Sequence, residues 1–389
     1  MRQKALYMLD NIISFWRSLR DGEYGGFYGF MDIDLNLDKK AVKGCILNSR
    51  ILWFFSEAAR ALGRDDLLDD ARHAYRFLTE RCLDREHGGV YWSVTYDGKP
   101  FDTTKHTYNQ AFAVYALSAY YEACGDKDAL ALAEELFALI EDKCADGGGY
   151  GEAYTREFEP AGNDKLSENG VMADRTMNTL LHAFEAYSGL YRASQNPAAA
   201  DKMRRILNIF ETKIYNPARR RQEVFFDKNW NSLIDLTSYG HDIEASWLIE
   251  WGCSMLGDEA LSGRMENICT VLAQSVYDRA LRGDSLRNEC ERGAEDEARV
   301  WWVQAEGVVG FLNMAHKYPN RTEYRLAAED ILAFIGDKLV DKRPGSEWLS
   351  EVMPDGTHTA KRKPVVEEWK CPYHNGRMCL EILKRVKET

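Results

Sequence analysis

The sequence predicts an all-α fold: a single domain over residues 1–389, an (α/α)6 barrel of twelve helices with short hairpins and loops at the end that carries the active site. Three observations lead there. A turn-rich unit of glycine and aromatic residues returns six times. A pair of helical patterns follows each of the first five units, and two unpaired helices fall at the chain ends.

The units read EYGGFYGFMDID, EHGGVYWSVTYDG, DGGGYGEAY, EVFFDKNWN, GDSLRNEC and GSEWLSEVMPDG, recurring about every 60 residues with one interval nearer 75. Glycine beside aromatic and β-branched residues is the chemistry of a short hairpin or an irregular extended loop. The first helix after each unit is apolar nearly all round: SRILWFFSEAARAL, HTYNQAFAVYALSAYYEAC, NTLLHAFEAYSGLY, HDIEASWLIEWGCSML and WWVQAEGVVGFLNMA. The second carries charge along one face, as in DDLLDDARHAYRFLTERCL, KDALALAEELFALIEDKC and EYRLAAEDILAFIGDKLV. A helix with no polar face must be surrounded by protein, and one with such a face borders solvent. The first set therefore forms an inner ring and the second an outer one. The sixth unit is followed by one helix only, NGRMCLEILKRVKE, while the chain opens on another, MRQKALYMLDNIISFWRSLR. Paired, these two close the ring. An open solenoid would need polar capping repeats at both ends, whereas the last helix keeps Met378, Leu380 and Ile382 close together.

Composition removes several classes of function. Acidic residues outnumber basic ones 62 to 50, a net charge of −12, and no run of Lys or Arg with interleaved aromatics interrupts that field. Nucleic acid is not expected as a partner. The first helix lacks the apolar core of a signal peptide and no apolar run is long enough to cross a bilayer, so no membrane is expected either. Nine cysteines without a CxxC pair suit a reducing cytoplasm. No GxGxxG follows a strand, so no nicotinamide cofactor is expected. His182, His241, His374 and Glu244 are able to converge, but without HExxH or a short His-x-His spacing no metal is expected. A monomer is expected, at most a weak homodimer.

Closure of the ring brings the first turns of six inner helices around one cavity. The polar and aromatic residues there are Arg50; Tyr108 with Asn109; Asn178 with His182; His241 with Glu244; Trp302 with Gln304 and Glu306; and His374 with Asn375. Singly, each has an ordinary structural explanation. Buried polar groups are costly unless paired or used, and their recurrence in six repeats points to a site. His241 and Glu244 are i and i+3 on one helical face, so the carboxylate is expected to hold one ring nitrogen while the other faces the cavity. His374 presents a second imidazole from another helix. Trp247, deeper still, is expected to pack. Ten Trp and twenty Tyr supply flat faces that suit the C–H face of a sugar ring, and Trp369 in VVEEWKCPYHNG is a candidate platform.

Two imidazoles and a cation suit proton transfer at a carbon next to a carbonyl, the isomerisation or epimerisation of an open-chain sugar. Glycoside hydrolysis by Glu244 and Glu306, assisted by Asp174 or Glu168, is the main alternative. A non-catalytic sugar binder would not need paired histidines.

The runs SRILWFFSEAARAL, MNTLLHAFEAY, GHDIEASWL, WWVQAEGVVGFLN and WKCPYHNGR, in this order and across essentially the whole chain, together resemble the N-acylglucosamine 2-epimerase superfamily, most closely its branch acting on cellobiose. The resemblance implies an (α/α)6 barrel that turns the reducing-end glucose of β-1,4-linked disaccharides such as cellobiose and lactose into mannose, reversibly and without a cofactor. It implies His241 and His374 as the paired acid/base groups, Glu244 as the partner orienting His241, and Arg50 as the cation over the enediolate oxygen. Tyr108, Asn178 and His182 resemble contacts to the sugar hydroxyls, and Trp302 and Trp369 the stacking aromatics; Glu306 is carried as a further substrate-binding residue. Asp242 departs from what relatives acting on N-acylated sugars carry after this histidine. The motifs do not separate epimerases from aldose–ketose isomerases of the same superfamily.

Overall fold

The computed structural model describes residues 1–167 and 169–387. Among them the regular structure is mostly helical, in twelve α-helices: α1 (Arg2–Ser18), α2 (Cys45–Leu62), α3 (Asp66–Phe77), α4 (Thr107–Cys124), α5 (Lys127–Leu139), α6 (Met177–Ser194), α7 (Pro197–Ile209), α8 (Tyr239–Leu256), α9 (Glu259–Arg279), α10 (Trp301–Lys317), α11 (Thr322–Phe334) and α12 (His374–Arg385). The even-numbered helices from α2 to α10 are buried along most of their length, and the even-numbered helices pack on one another in succession from α2 to α12, with α12 returning to α2. Each of α3, α5, α7, α9 and α11 packs behind the even helix that precedes it, and α1 covers α12. In α2 every residue from Cys45 to Ala59 is buried, whereas α3 buries only Leu67, Asp70, Ala71, Ala74 and Phe77. Local sequence sets the ends. Asp126, Asn196 and Asp258 cap α5, α7 and α9 with side-chain acceptors, and Gly63, Gly125 and Gly257 end α2, α4 and α8 at positive φ, where a side chain would be strained.

The glycine-aromatic units do form short antiparallel pairs, some within one repeat, such as Ser93 with Asp102 and Cys290 with Glu295, and others between repeats. The residues just ahead of α2, α4, α6, α8 and α10 pair with the unit of the following repeat: Lys43 with Val94, Lys105 with Tyr154, Arg175 with Phe226, Thr237 with Cys290 and Arg299 with Val352. Ahead of α12 the partner comes from the first repeat, where Met31 N–H donates to Val366 O (3.1 Å) and Val365 N–H to Met31 O (2.9 Å). The two ends of the chain are thereby joined by backbone hydrogen bonds as well as by the packing of α1 on α12.

This scaffold accounts for part of the polar recurrence seen in the sequence. Near the start of each of four inner helices one side chain clamps the backbone of a neighbouring unit: Asn48 accepts from Phe27 N–H, Gln110 from Val90 N–H, Asp242 from Gln222 N–H and Gln304 from Leu286 N–H. Asn109 donates to Tyr91 O and Asn375 to Glu347. Recurrence at these positions is structural hydrogen bonding repeated with the fold, so Asn109, Gln304 and Asn375 drop out of the site.

Candidate active site

The helix ring opens at the hairpin end into a cavity of about 280 Å³, to which all six inner helices contribute. Arg50, Tyr108, Asn178, His182, His241, Glu244, Trp302, Trp369 and His374 all line it. Glu306 does not. Arg50, Phe112, His182, Glu244 and Glu306 are each the sixth residue of their helix and so lie at one depth. In the last repeat the inner helix begins later, and His374, the first residue of α12, comes level with them. The contacts confirm this layer: His374 Nδ1 is 2.8 Å from Glu306 Oε1 and 3.8 Å from Glu244 Oε1, and His182 Nε2 is 3.9 Å from Glu244 Oε1.

The histidines are held differently from the sequence expectation. Ser238, at the N-cap of α8, meets His241 Nδ1 through its hydroxyl at 2.7 Å. Glu244 does not hold His241; its Oε1 accepts from Arg377, and its buried Oε2 has no hydrogen-bond partner among the described residues. The i, i+3 carboxylate–imidazole pair exists one repeat earlier, where His182 Nδ1 meets Glu185 Oε2 at 2.8 Å. Glu306 sits behind His374 rather than against the cavity, accepting from its Nδ1 and, through Oε2, from the Trp247 indole N–H at 3.0 Å. Trp247 therefore does more than pack. His241 and His374 flank the Trp302 indole, with ring centroids 4.8 and 5.4 Å from it. Gly240 makes this possible, since a Cβ there would collide with the Trp302 ring. Of the two adjacent tryptophans, Trp302 is partly exposed to the cavity while Trp301 is buried, edge-on to His374.

Arg50 is the guanidinium that lines the cavity, whose wall also includes Lys165, Lys361, Lys363 and Lys370. It is buried, donates to Tyr108 Oη at 2.7 Å, lies over the Phe112 ring at 4.2 Å, and makes no ion pair with a carboxylate among the described residues. A buried guanidinium without a counter-ion is costly, and this one lines the cavity with its Nε unsatisfied. The buried Asn178 Oδ1 is likewise without a partner among the described residues, and Asn178 too lines the cavity.

Burial dominates the protonation states. It pushes His241 down to about 3, with His182 nearby adding to the effect. His374 is held well below its ordinary value by burial, then by Arg377 and Arg50. Burial lowers His182 too, against the pull of Glu185. All three imidazoles are neutral near pH 7. Burial and the neighbouring Glu306 raise Glu244 to about 8. Burial would raise Glu185 as well, but Arg377 and His182 beside it bring it down to about 2.

Oxygen atoms of Glu244 and Glu306 with a nitrogen of His374 lie within 4.8 Å of one another, a spacing that could hold a metal ion. The Arg377 guanidinium already occupies that cluster, with Nη2 on both carboxylates, so the donors are committed to a cation of the chain's own. The hydrolytic arrangement fares no better. Of its two carboxylates only Glu244 reaches the cavity, and both serve one guanidinium instead of flanking a bond to be cut. Asp174 is exposed and not part of the cavity wall, and Glu168 lies outside the described residues. Sequence reasoning missed Ser238, Glu185, Tyr373 and Arg377. A signal was present: HAFE, HDIE and HNGR place a charged residue three positions after a histidine on three inner helices.

Imidazoles, a guanidinium and indoles thus line one cavity at the end of a helical scaffold. The sequence profile of the family described as N-acylglucosamine 2-epimerase (GlcNAc 2-epimerase) matches residues 25–374. The chain belongs to that family and is a carbohydrate epimerase, an isomerase. It is similar to a cellobiose 2-epimerase of Eubacterium cellulosolvens, 54% identical over 402 residues with 99% of this chain and 98% of that one covered. A cellobiose 2-epimerase of Ruminococcus albus is 49% identical, with 97% of both chains covered. The crystal structure of a sugar epimerase from a ruminal bacterium superposes with a TM-score of 0.97 at 47% identity, covering 100% of both chains.

Proposed function

We propose that this chain, a single (α/α)6-barrel domain, reversibly epimerises C2 of the reducing-end glucose of cellobiose and of related β-1,4-linked disaccharides such as lactose, giving mannose at that position. The sugar ring opens to expose the C1 carbonyl. One imidazole then takes the C2 proton, the electron pair moves onto the carbonyl oxygen, and the resulting enediolate faces Arg50. Returning a proton to the opposite face of C2 inverts it, with no net oxidation and no cofactor. His241 and His374 are the acid/base pair, each with Nδ1 held by the protein so that Nε2 is the nitrogen left for substrate. Tyr108, Asn178 and His182 contact the reacting sugar's hydroxyls, and Trp302 and Trp369 stack on the two rings. The protein acts as a monomer in the cytoplasm.

The observation that carries this reading is the combination of an unpaired buried guanidinium with two neutral imidazoles beside one indole in a single cavity. The disaccharide specificity rests on the relatives named above. Incubation with cellobiose, lactose, glucose and N-acetylglucosamine, with chromatographic separation of products, is the test. Glucosyl-mannose from cellobiose is expected. Fructosyl product alone would make the chain an aldose–ketose isomerase, and N-acetylmannosamine alone would return it to the N-acyl branch.

A further inference from the structure

Arg377 has no role in the reaction as described above, yet the site is built around it. It is the fourth residue of α12, 2% exposed, and follows His374 by three positions. Its guanidinium donates to Glu185 Oε1 at 2.6 Å on α6, to Glu306 Oε1 at 2.7 Å on α10, to Glu244 on α8 and to the Tyr373 hydroxyl. Two of these carboxylates each hold one imidazole: Glu185 holds His182 Nδ1 and Glu306 holds His374 Nδ1, both at 2.8 Å. The third, Glu244, holds no imidazole, and its buried Oε2 has no hydrogen-bond partner among the described residues. Tyr373 closes the group by donating to Glu185 Oε2, the oxygen that also meets His182. The Trp247 and Tyr373 rings lie beside the guanidinium, their centroids 4.9 and 4.3 Å from its carbon.

We propose that Arg377 is a positioning residue for the epimerisation: one planar guanidinium that clamps the carboxylates behind His182 and His374 and so fixes the tautomer and the aim of both imidazoles at once. Three acids drawn from three helices, Glu185 ionised and Glu244 still protonated near neutrality, crowd one dry layer, and no other cation reaches all three among the described residues. Only a fork can serve them together. The ammonium of lysine is a point charge on a flexible stem and reaches one or two. A carboxylate freed from the clamp can rotate away, and the imidazole it orients then loses its fixed Nδ1–H.

The inference rests on the proposed epimerase chemistry for its kinetic arm but not for its spectroscopic one. Arg377→Lys is compared with wild type for cellobiose kinetics and, on nitrogen-15-histidine-labelled protein without substrate, for the side-chain tautomers. Wild type is expected to show His182 and His374 as neutral Nδ1–H forms. In the variant kcat is expected to fall roughly 100-fold with KM changed by less than about threefold, as misplacing a reacting group without removing it does, and the two histidine signals are expected to broaden or move toward the Nε2–H form. Should Arg377→Lys not fold, Glu185→Gln decides, because it keeps the cation and removes one clamped acid: loss of the Nδ1–H signature of His182 alone is expected. Unchanged tautomers in a folded variant overturn the clamp whatever the substrate proves to be. A wild type inactive on cellobiose, with tautomers that do shift in the variant, overturns the substrate assignment and leaves the clamp standing.

Discussion

Replacing Glu306 by Gln tests the electrostatic design of the site most directly, because the change keeps shape and removes one acceptor. Glu306 Oε1 accepts from His374 Nδ1 at 2.8 Å and from Arg377 at 2.7 Å, and Oε2 accepts from the Trp247 indole at 3.0 Å. An amide has one oxygen to offer. If it faces His374 and Arg377, the amide N–H2 meets the Trp247 N–H, donor against donor. If it faces Trp247, the N–H2 meets Arg377 and favours an acceptor Nδ1 on His374, which moves the ring proton to Nε2 and removes the basic lone pair from the cavity. A buried hydrogen bond to a charged partner contributes about 1.5–3 kcal/mol, so the milder outcome lowers kcat roughly tenfold to a few hundredfold. The tautomer change alone has cost on the order of 10⁴-fold where a hydrolase histidine lost its carboxylate. The assay is epimerisation of cellobiose followed by chromatography, with circular dichroism as a check on folding. A Glu306→Gln enzyme that is folded and within about threefold of wild-type kcat would refute the claim that this carboxylate sets the state of His374.

His241→Asn and His374→Asn are each expected to abolish turnover, and wild-type reaction in heavy water is expected to leave deuterium at C2 of the mannosyl product by proton NMR; label-free product would contradict a solvent-exchanging acid/base pair. Because His241 is pushed down to about 3 and His374 also lies well below 6.5, the acid limb of kcat/KM should fall below pH 6, and a limb at or above 6.5 would show that neither imidazole is held neutral. Glu244 keeps its proton to about pH 8 when folded and sheds it near 4.5 when unfolded, so unfolding releases a proton between those values and stability declines as pH rises through them. The decline is at most about 1.4 kcal/mol per pH unit from this group. The melting temperature of Glu244→Gln should therefore fall less between pH 5 and 8 than that of wild type, and parallel curves would count against the raised value.

The helical architecture was legible because its causes are local. Helices apolar all round, such as SRILWFFSEAARAL and HTYNQAFAVYALSAYYEAC, have nowhere to go but the inside, and the charged faces of their partners leave only the outside. The pairing of the glycine-aromatic units was not legible. Units such as EHGGVYWSVTYDG announce extended backbone, but nothing within one says that its partner lies a repeat away, or that Met31 will meet Val366. Partner choice there is set by where the ring places each strand, a property of the closed assembly.

The same distinction explains the site. Inner-helix residues that reach the cavity, such as His182 and Trp302, were recoverable, because each is a polar or aromatic intruder in an apolar helix, visible one helix at a time; loop residues on its wall, such as Ser238 and Lys165, were not. What each residue pairs with was not, since the i, i+3 rule knows only its own helix. On α6 the rule holds, and Glu185 takes His182. On α8 the same spacing fails, because Arg377 arrives from α12 and draws Glu244 away, leaving His241 to Ser238. On α12 the motif is inverted, with the cation following the histidine and the carboxylate supplied by α10. Three near-identical spacings thus give three different partnerships, decided by a guanidinium that no single helix contains the reason for. A charged residue one turn below a histidine on several helices of a ring is best read across the ring, as a count of acids against bases sharing one buried layer, before any pair is assigned within a helix.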